Sequence, residues 1–229
     1  MTQNAASLRA DMYQLLVVGF LHPDRKLAAG LVNEGFQADV AVTAKEIIET
    51  LHSDSAAAIA FCAASDALAD ESLTSDPESL YHELAVEYAH LFIGPPLPAV
   101  SPYESAHVDS EPGAPALLVV SPSARAVLAA YREAGLNMAE GLNEPPDHIA
   151  TEFEFMYYLC SAEARAWAEG NTDEADRLRG LEESFISGHL MKWGEDFALR
   201  VEEVSTQPFY RALAAVTQAF LRLEAELKA

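Results

Sequence analysis

The sequence predicts an all-α protein: a helical bundle of about ten helices, in two subdomains joined by a proline-rich hinge loop. Three observations predict it. Alanine and leucine are abundant while β-branched residues are comparatively scarce, which favours helix over sheet. Apolar residues recur three and four positions apart through most of the chain. The breaks between those stretches read as helix punctuation, with capping Ser, Thr, Asp or Asn before a start and Gly after an end.

The elements follow in order. "NAASLRADMYQLLVVGFL" reads as a first helix that closes near "HPD". Residues 24–34 read as a short second helix. "VTAKEIIETLH" has apolar residues at helical spacing, with Thr43 able to cap it. "SAAAIAFCAASDALAD" can start at Ser55. In "SDPESLYHELAVEYAHLF", Ser75 or Asp76 caps and Pro77 occupies the first turn. Leu80, Leu84, Tyr88 and Leu91 make one face of that helix. Residues 94–120 are irregular, and "ALLVV" within them reads as a buried connector or the approach to a helix. "SPSARAVLAAYREAG" repeats the Ser-Pro start and ends at Gly135. "NEPPDHIATEFEFMYYLCSAEARAWAEG" runs from a proline-rich start to Gly170. "NTDEADRLRGLEESFISGHLMKW", "EDFALRVEEVS" and "PFYRALAAVTQAFLRLEAEL" complete the chain. No period repeats, which argues against a solenoid. The expected organisation is one domain over 1–229, with an N-terminal subdomain 1–115 and a C-terminal subdomain 116–229.

Length and charge restrict the function. The 229 residues, half of them apolar, are enough to bury a real core. The formal net charge is −22, from 36 acidic and 14 basic residues. That argues against general nucleic-acid binding, which neutralises phosphates with Lys and Arg. It disfavours anionic membrane surfaces and would attract a basic partner. Cys62 and Cys160 lie far apart in apolar surroundings and read as core residues rather than metal ligands. The N-terminus has too short an apolar run and too little positive charge for a secretory signal. A reducing cytoplasm is the simplest address.

The sequence offers little to a catalyst. There is no phosphate-cradling P-loop and no GxGxxG motif. Ser105, His107 and Asp109 lie close in sequence, but alternate residues of one segment do not line up as a hydrogen-bonded triad. His148 and Glu152 share a helix face, yet no second His stands a turn away. Asp147 and His148 read equally well as residues that cap a helix start. The expectation is therefore no catalytic residue, no metal site and no cofactor. The aromatics say more. Tyr88, Phe92, Tyr103, Phe153, Phe155, Tyr157 and Tyr158 cluster around two proline-rich segments. Rigid prolines beside aromatics can hold a groove open for an apolar peptide, because preorganisation lowers the ordering cost of binding. An acidic rim suits a peptide that carries arginines.

At "EYAHLFIGP" (87–95), "SPYES" (101–105) and "PPDHIATEFEFM" (145–156) the sequence resembles the TorD/DmsD/NarJ-type redox-enzyme maturation chaperones. "HLMKW" (189–193) and "PFYRALAAVTQAFL" (208–221) fit the same pattern. The resemblance covers about the last two-thirds of the chain; the first 75 residues agree only in being helical. It implies an all-helical, non-catalytic cytoplasmic chaperone. Such a protein binds the twin-arginine signal peptide or N-terminal region of a molybdoenzyme subunit, assists cofactor insertion and delays export. The implied partners are the catalytic subunit of a molybdenum-cofactor oxidoreductase and the twin-arginine export machinery. The implied peptide-binding residues are Tyr88, Leu91, Phe92, Pro102, Tyr103, Glu104, Pro145, Asp147 and His148. Tyrosine stands at 88 and 103, where relatives often carry tryptophan, so an aromatic wall survives. Tyr88, Leu91, Phe92 and Tyr103 would touch the apolar part of the peptide. Pro102 and Pro145 would fix two lips of the groove. Asp147 and Glu104 would receive an arginine, and His148 would orient Asp147 or hydrogen-bond the peptide backbone. Two alternatives remain: a NarJ-like assembly chaperone of a non-exported reductase subunit, and a nucleotide- or metal-dependent hydrolase.

Overall fold

A computed structural model describes residues 2–69, 76–94, 96–109, 121–137 and 145–227. Those residues form an all-α bundle. Helix α1 spans Gln3–Phe20, α2 Arg25–Val32, α3 Gly35–Leu51 and α4 Ala56–Ala69. Helix α5 covers Pro77–Tyr88 and runs into a π turn, Ala89–Ile93. Then come α6 (Glu104–Val108), α7 (Pro122–Glu133), α8 (Ile149–Ala168), α9 (Thr172–Phe185), α10 (Met191–Val204) and α11 (Pro208–Glu226). Helices α9 and α10 are one rod, continuous through a second π turn at Ile186–Leu190.

The capping residues work as their sequence suggests. The side chains of Ser55, Asp76 and Ser121 accept hydrogen bonds from the backbone N–H of Ala58, Ser79 and Ala124. Two expectations fail. Helix α3 starts at Gly35, so Thr43 lies inside it and caps nothing. The break expected between "HLMKW" and "EDFALRVEEVS" does not form, because the α10 face of Trp193, Phe197 and Val201 is buried without interruption. The irregularity falls earlier, where the Ser187 hydroxyl donates to the Glu183 carbonyl at 2.6 Å beside Gly188. "ALLVV" (116–120) lies outside the described residues.

The core is aromatic and runs through the bundle. Helix α1 lies along α8, and α11 packs against both α4 and α10. These contacts cross the expected subdomain boundary at residues 115 and 116. Tyr13, Phe20, Phe61, Phe153, Phe197 and Phe220 are fully buried where the helices meet. Gly19 lets α1 approach α11, since a Cβ there would meet the Leu213 side chain at 2.7 Å.

Charge is buried as well. The Arg9 guanidinium donates to both carboxylate oxygens of Glu224, at 2.7 and 2.6 Å, and to Glu182 at 2.7 Å. Glu163 lies 3.7 Å away. Helices α1, α8, α9 and α11 are thereby tied at one point.

Candidate functional site

The site begins where α5 loses its regular pitch. The π turn ends when Gly94 N–H donates to the Ala89 carbonyl at 2.7 Å. Gly94 sits at φ +80°, and a Cβ there would run into the Leu97 carbonyl group. The chain then folds back: Ala99 and Val100 donate to the carbonyls of His90 and Leu91. Leu91 is thereby sealed in the core, while Phe92 is turned toward the surface and stays 6% exposed.

The two proline-rich segments are bonded to each other. Ile149 N–H donates to the Pro102 carbonyl, and Glu104 N–H to the Asp147 carbonyl, both at 2.9 Å. This places Tyr103 opposite His148 in a single antiparallel bridge, with ring centroids 5.3 Å apart. Pro102 and Pro145 do not stiffen two facing lips, as expected. Their segments make one edge, because the backbone groups that proline-rich chain leaves unpaired find each other there.

Beside this edge lies a cavity of about 860 Å³. Tyr88, Phe92, Pro102, Tyr103 and His148 line it. Its long side is α8, which contributes Thr151, Glu154, Phe155, Tyr157, Tyr158, Ser161, Ala162 and Arg165. These positions repeat three and four apart, so they form one helix face. From Thr151 to Arg165 that face runs about 21 Å at 1.5 Å per residue. Tyr131 and Leu136, with Leu21 and His22, complete the lining. Apolar Leu21, Ile93 and Tyr158 are exposed there, so the concavity is an open, greasy groove.

The groove's rings are braced from behind. Tyr88 and Phe92 meet edge to face at 5.0 Å, and Phe92 stacks on buried Phe197 at 5.9 Å. Tyr131 packs on Phe155 at 4.6 Å, and its hydroxyl donates to the Pro146 carbonyl at 2.8 Å. The walls are therefore held before any ligand arrives.

Not every expected residue reaches the groove. Leu91, Glu104 and Asp147 are essentially fully buried and cannot touch a ligand in this conformation. Pro145 is half-buried and is not part of the lining. Asp147 accepts from Ser105 N–H at 2.9 Å, which positions α6. His148 Nδ1 accepts from Ala150 N–H at 3.1 Å and caps α8. Glu104 turns inward to His189 Nδ1 at 2.8 Å. Trp193 Nε1 donates to Glu152 at 3.3 Å. Burial, with the charges of Glu104 and Asp147, pushes the Glu152 carboxyl well above the usual range. Three sequence motifs thus meet in a buried polar cluster behind the groove edge.

Missing from the sequence reading were Tyr131, Glu154 and Arg165, and the single helix face that joins the last two to Tyr158. Their signal was present as the spacing of 151, 154, 155, 158, 162 and 165, but it resembles any amphipathic face. The small triad does not assemble. His107 Nε2 bonds the Ser101 carbonyl at 2.8 Å, and Asp109 accepts from Ser123. No metal-binding group of His, Cys, Asp and Glu occurs among the described residues, and no helix there is long and apolar enough to cross a membrane.

Comparison with known proteins gives the class of an all-helical protein with such a groove. The family model "Nitrate reductase delta subunit" matches residues 33–199, and the chain belongs to that family, as a TorD-like redox-enzyme maturation chaperone. It is 27% identical over 222 residues to a "Chaperone protein TorD" of Shewanella pealeana, covering 96% of this chain and 89% of the relative. A protein of the same name from Photobacterium profundum is 30% identical over 143 residues, covering 62% of each chain. One from Escherichia coli is 31% identical over 132 residues, covering 58% of this chain and 57% of its own.

Proposed function

We propose that this is a cytoplasmic chaperone whose groove binds the twin-arginine signal peptide or N-terminal region of a molybdoenzyme subunit. While bound, that segment is withheld from the export machinery and cofactor insertion is assisted. The observation that carries this reading is the groove itself. A single helix face about 21 Å long, with an aromatic stretch at its middle, suits a peptide of a dozen or so helical residues better than a compact metabolite. Its walls are braced, so little ordering cost falls on the protein side. The strongly acidic chain favours encounter with a basic peptide.

The test is fluorescence anisotropy with a labelled signal peptide from the molybdoenzyme encoded beside this gene. Saturable binding is expected. Tyr88→Ala and Tyr158→Ala should each weaken it by about tenfold, as truncation of a groove aromatic does, with the thermal transition of Tyr158→Ala unchanged. Undiminished affinity in both variants would place the ligand elsewhere.

The match to a reductase-subunit family leaves a second reading open, a NarJ-like chaperone whose client subunit is not exported. Replacing both arginines of the peptide with alanine separates the two. Weaker binding supports export control. Equal binding supports recognition of the apolar segment alone.

A further inference from the structure

We propose that the groove reads peptide direction: Glu154 receives the basic N-terminal end, and the apolar segment runs parallel to α8 toward Arg165. This rests on the peptide-binding reading above and adds an orientation to it.

Glu154 and Arg165 are the groove's oppositely charged side chains. Both are exposed, and neither has an ion-pair or hydrogen-bond partner among the described residues. Eleven positions separate them, about 16 Å along the helix axis at 1.5 Å per residue. Between them the lining is Phe155, Tyr157, Tyr158, Ser161 and Ala162, which carries no charge. The face therefore reads carboxylate, apolar stretch, guanidinium. A bound peptide with a basic end and an apolar run has the complementary order in one direction only. In the reverse direction its arginines would lie against Arg165.

A second observation strengthens the asymmetry. The Tyr131 hydroxyl, in the groove wall, is pushed well above the ordinary range first by burial and then by Glu152, Asp147, Glu104 and Glu154. Three of those acidic groups lie behind the groove edge and Glu154 faces the groove itself, so the acidic side chains gather at the α8 start. At the far end Arg177 also lies near Tyr158, but Glu174 pairs with it at 2.7 Å. Arg165 complements the dipole of α8 as well. The dipole accounts for a basic residue in the last turn, where Arg165 stands, but not for why Arg165 and Glu154 both face the groove.

The test uses two synthetic peptides of the same composition: an arginine pair followed by an apolar run of about eleven residues, matching the groove's helical span, and the reversed sequence. The intact protein should prefer the arginine-first peptide by about three- to tenfold, the scale of partly exposed charge pairs. The preference should shrink as salt is raised. Exchanging the charges in the double variant Glu154→Arg/Arg165→Glu keeps the net charge and should invert the preference. Equal affinity for the two peptides, or a preference unchanged by the exchange, overturns the proposed direction and leaves the groove reading standing. If neither peptide binds the intact protein, both fall together.

Discussion

Helix α8 carries two buried carboxylate clusters that differ in what closes them. Near its C-terminal end, Glu163 joins Glu182 and Glu224 around the Arg9 guanidinium. Near its N-terminal end, Glu152 joins Glu104 and Asp147, and the side chains that close the cluster are His189 and Trp193. The first cluster holds a permanent cation with a fork of donors, so it acts as a fixed tie between helices. The second has no guanidinium or ammonium among its described contacts. Burial there pushes the Glu152 carboxyl up, and Oδ1 of Asp147 finds no hydrogen-bond partner among the described residues. The difference matters because the second cluster backs the groove edge and the first does not. Glutamates of one helix thus join a cation-centred tie in one place and a cluster closed by His189 and Trp193 in the other.

The sharpest way to break this comparison is Arg9→Met. It leaves three carboxylates buried without their cation, and should cost about 3–5 kcal/mol, the usual penalty for stranding buried charge. At about 2–4 °C per kcal/mol for a chain of this size, the melting temperature should fall by about 6–20 °C. A loss below about 1 kcal/mol would show that the tie is not needed.

The next prediction concerns Glu182. Three carboxylates face one guanidinium, and burial, only partly offset by Arg9, pushes Glu182 up to about 7. An unfolded glutamate titrates near ~4.3. The folded state therefore holds an extra proton between those values. The associated stability is fully present below about pH 4.3 and is lost as pH rises through about 7. Urea midpoints measured across that window should fall with pH, and Glu182→Gln should flatten the slope. An unchanged slope in the variant would move the proton to another carboxyl.

The smallest effect is expected at the other cluster. Glu152→Gln keeps an oxygen for Trp193 Nε1 and removes a carboxyl whose charged form is disfavoured by burial and its neighbours. Its raised folded value makes its stability contribution greatest in acid and weakest at high pH. The variant should therefore gain on the order of a few degrees in melting temperature at neutral pH. That gain should grow with pH and vanish toward pH 4. A loss of stability at every pH would show that the Glu152 carboxyl is needed as such.

The sequence was most legible where a property is local. The caps at Ser55, Asp76 and Ser121 and the buried face of Leu80, Leu84, Tyr88 and Leu91 depend on residues within a turn or two, and all formed. The family motifs lie around the candidate groove, and each spans a short contiguous stretch. Within that neighbourhood, sequence could not separate ligand-facing from inward-facing residues. Leu91 and Phe92 are adjacent, yet a π turn sends one inward and the other to the groove. Asp147 and His148 are adjacent, yet one braces α6 and the other rims the cavity.

By itself, then, the sequence determined the helices, their apolar faces and the membership of the family, because backbone propensity and periodicity act over a few residues. Tertiary structure decided the pairing of the two proline-rich segments, the inward turn of Glu104 to His189, and the placing of Glu154 and Arg165 at opposite ends of one groove. Each of these depends on which distant surface a side chain meets. That is fixed only when α8 packs between α1 and α9, because burial and charge compensation are properties of the assembled core.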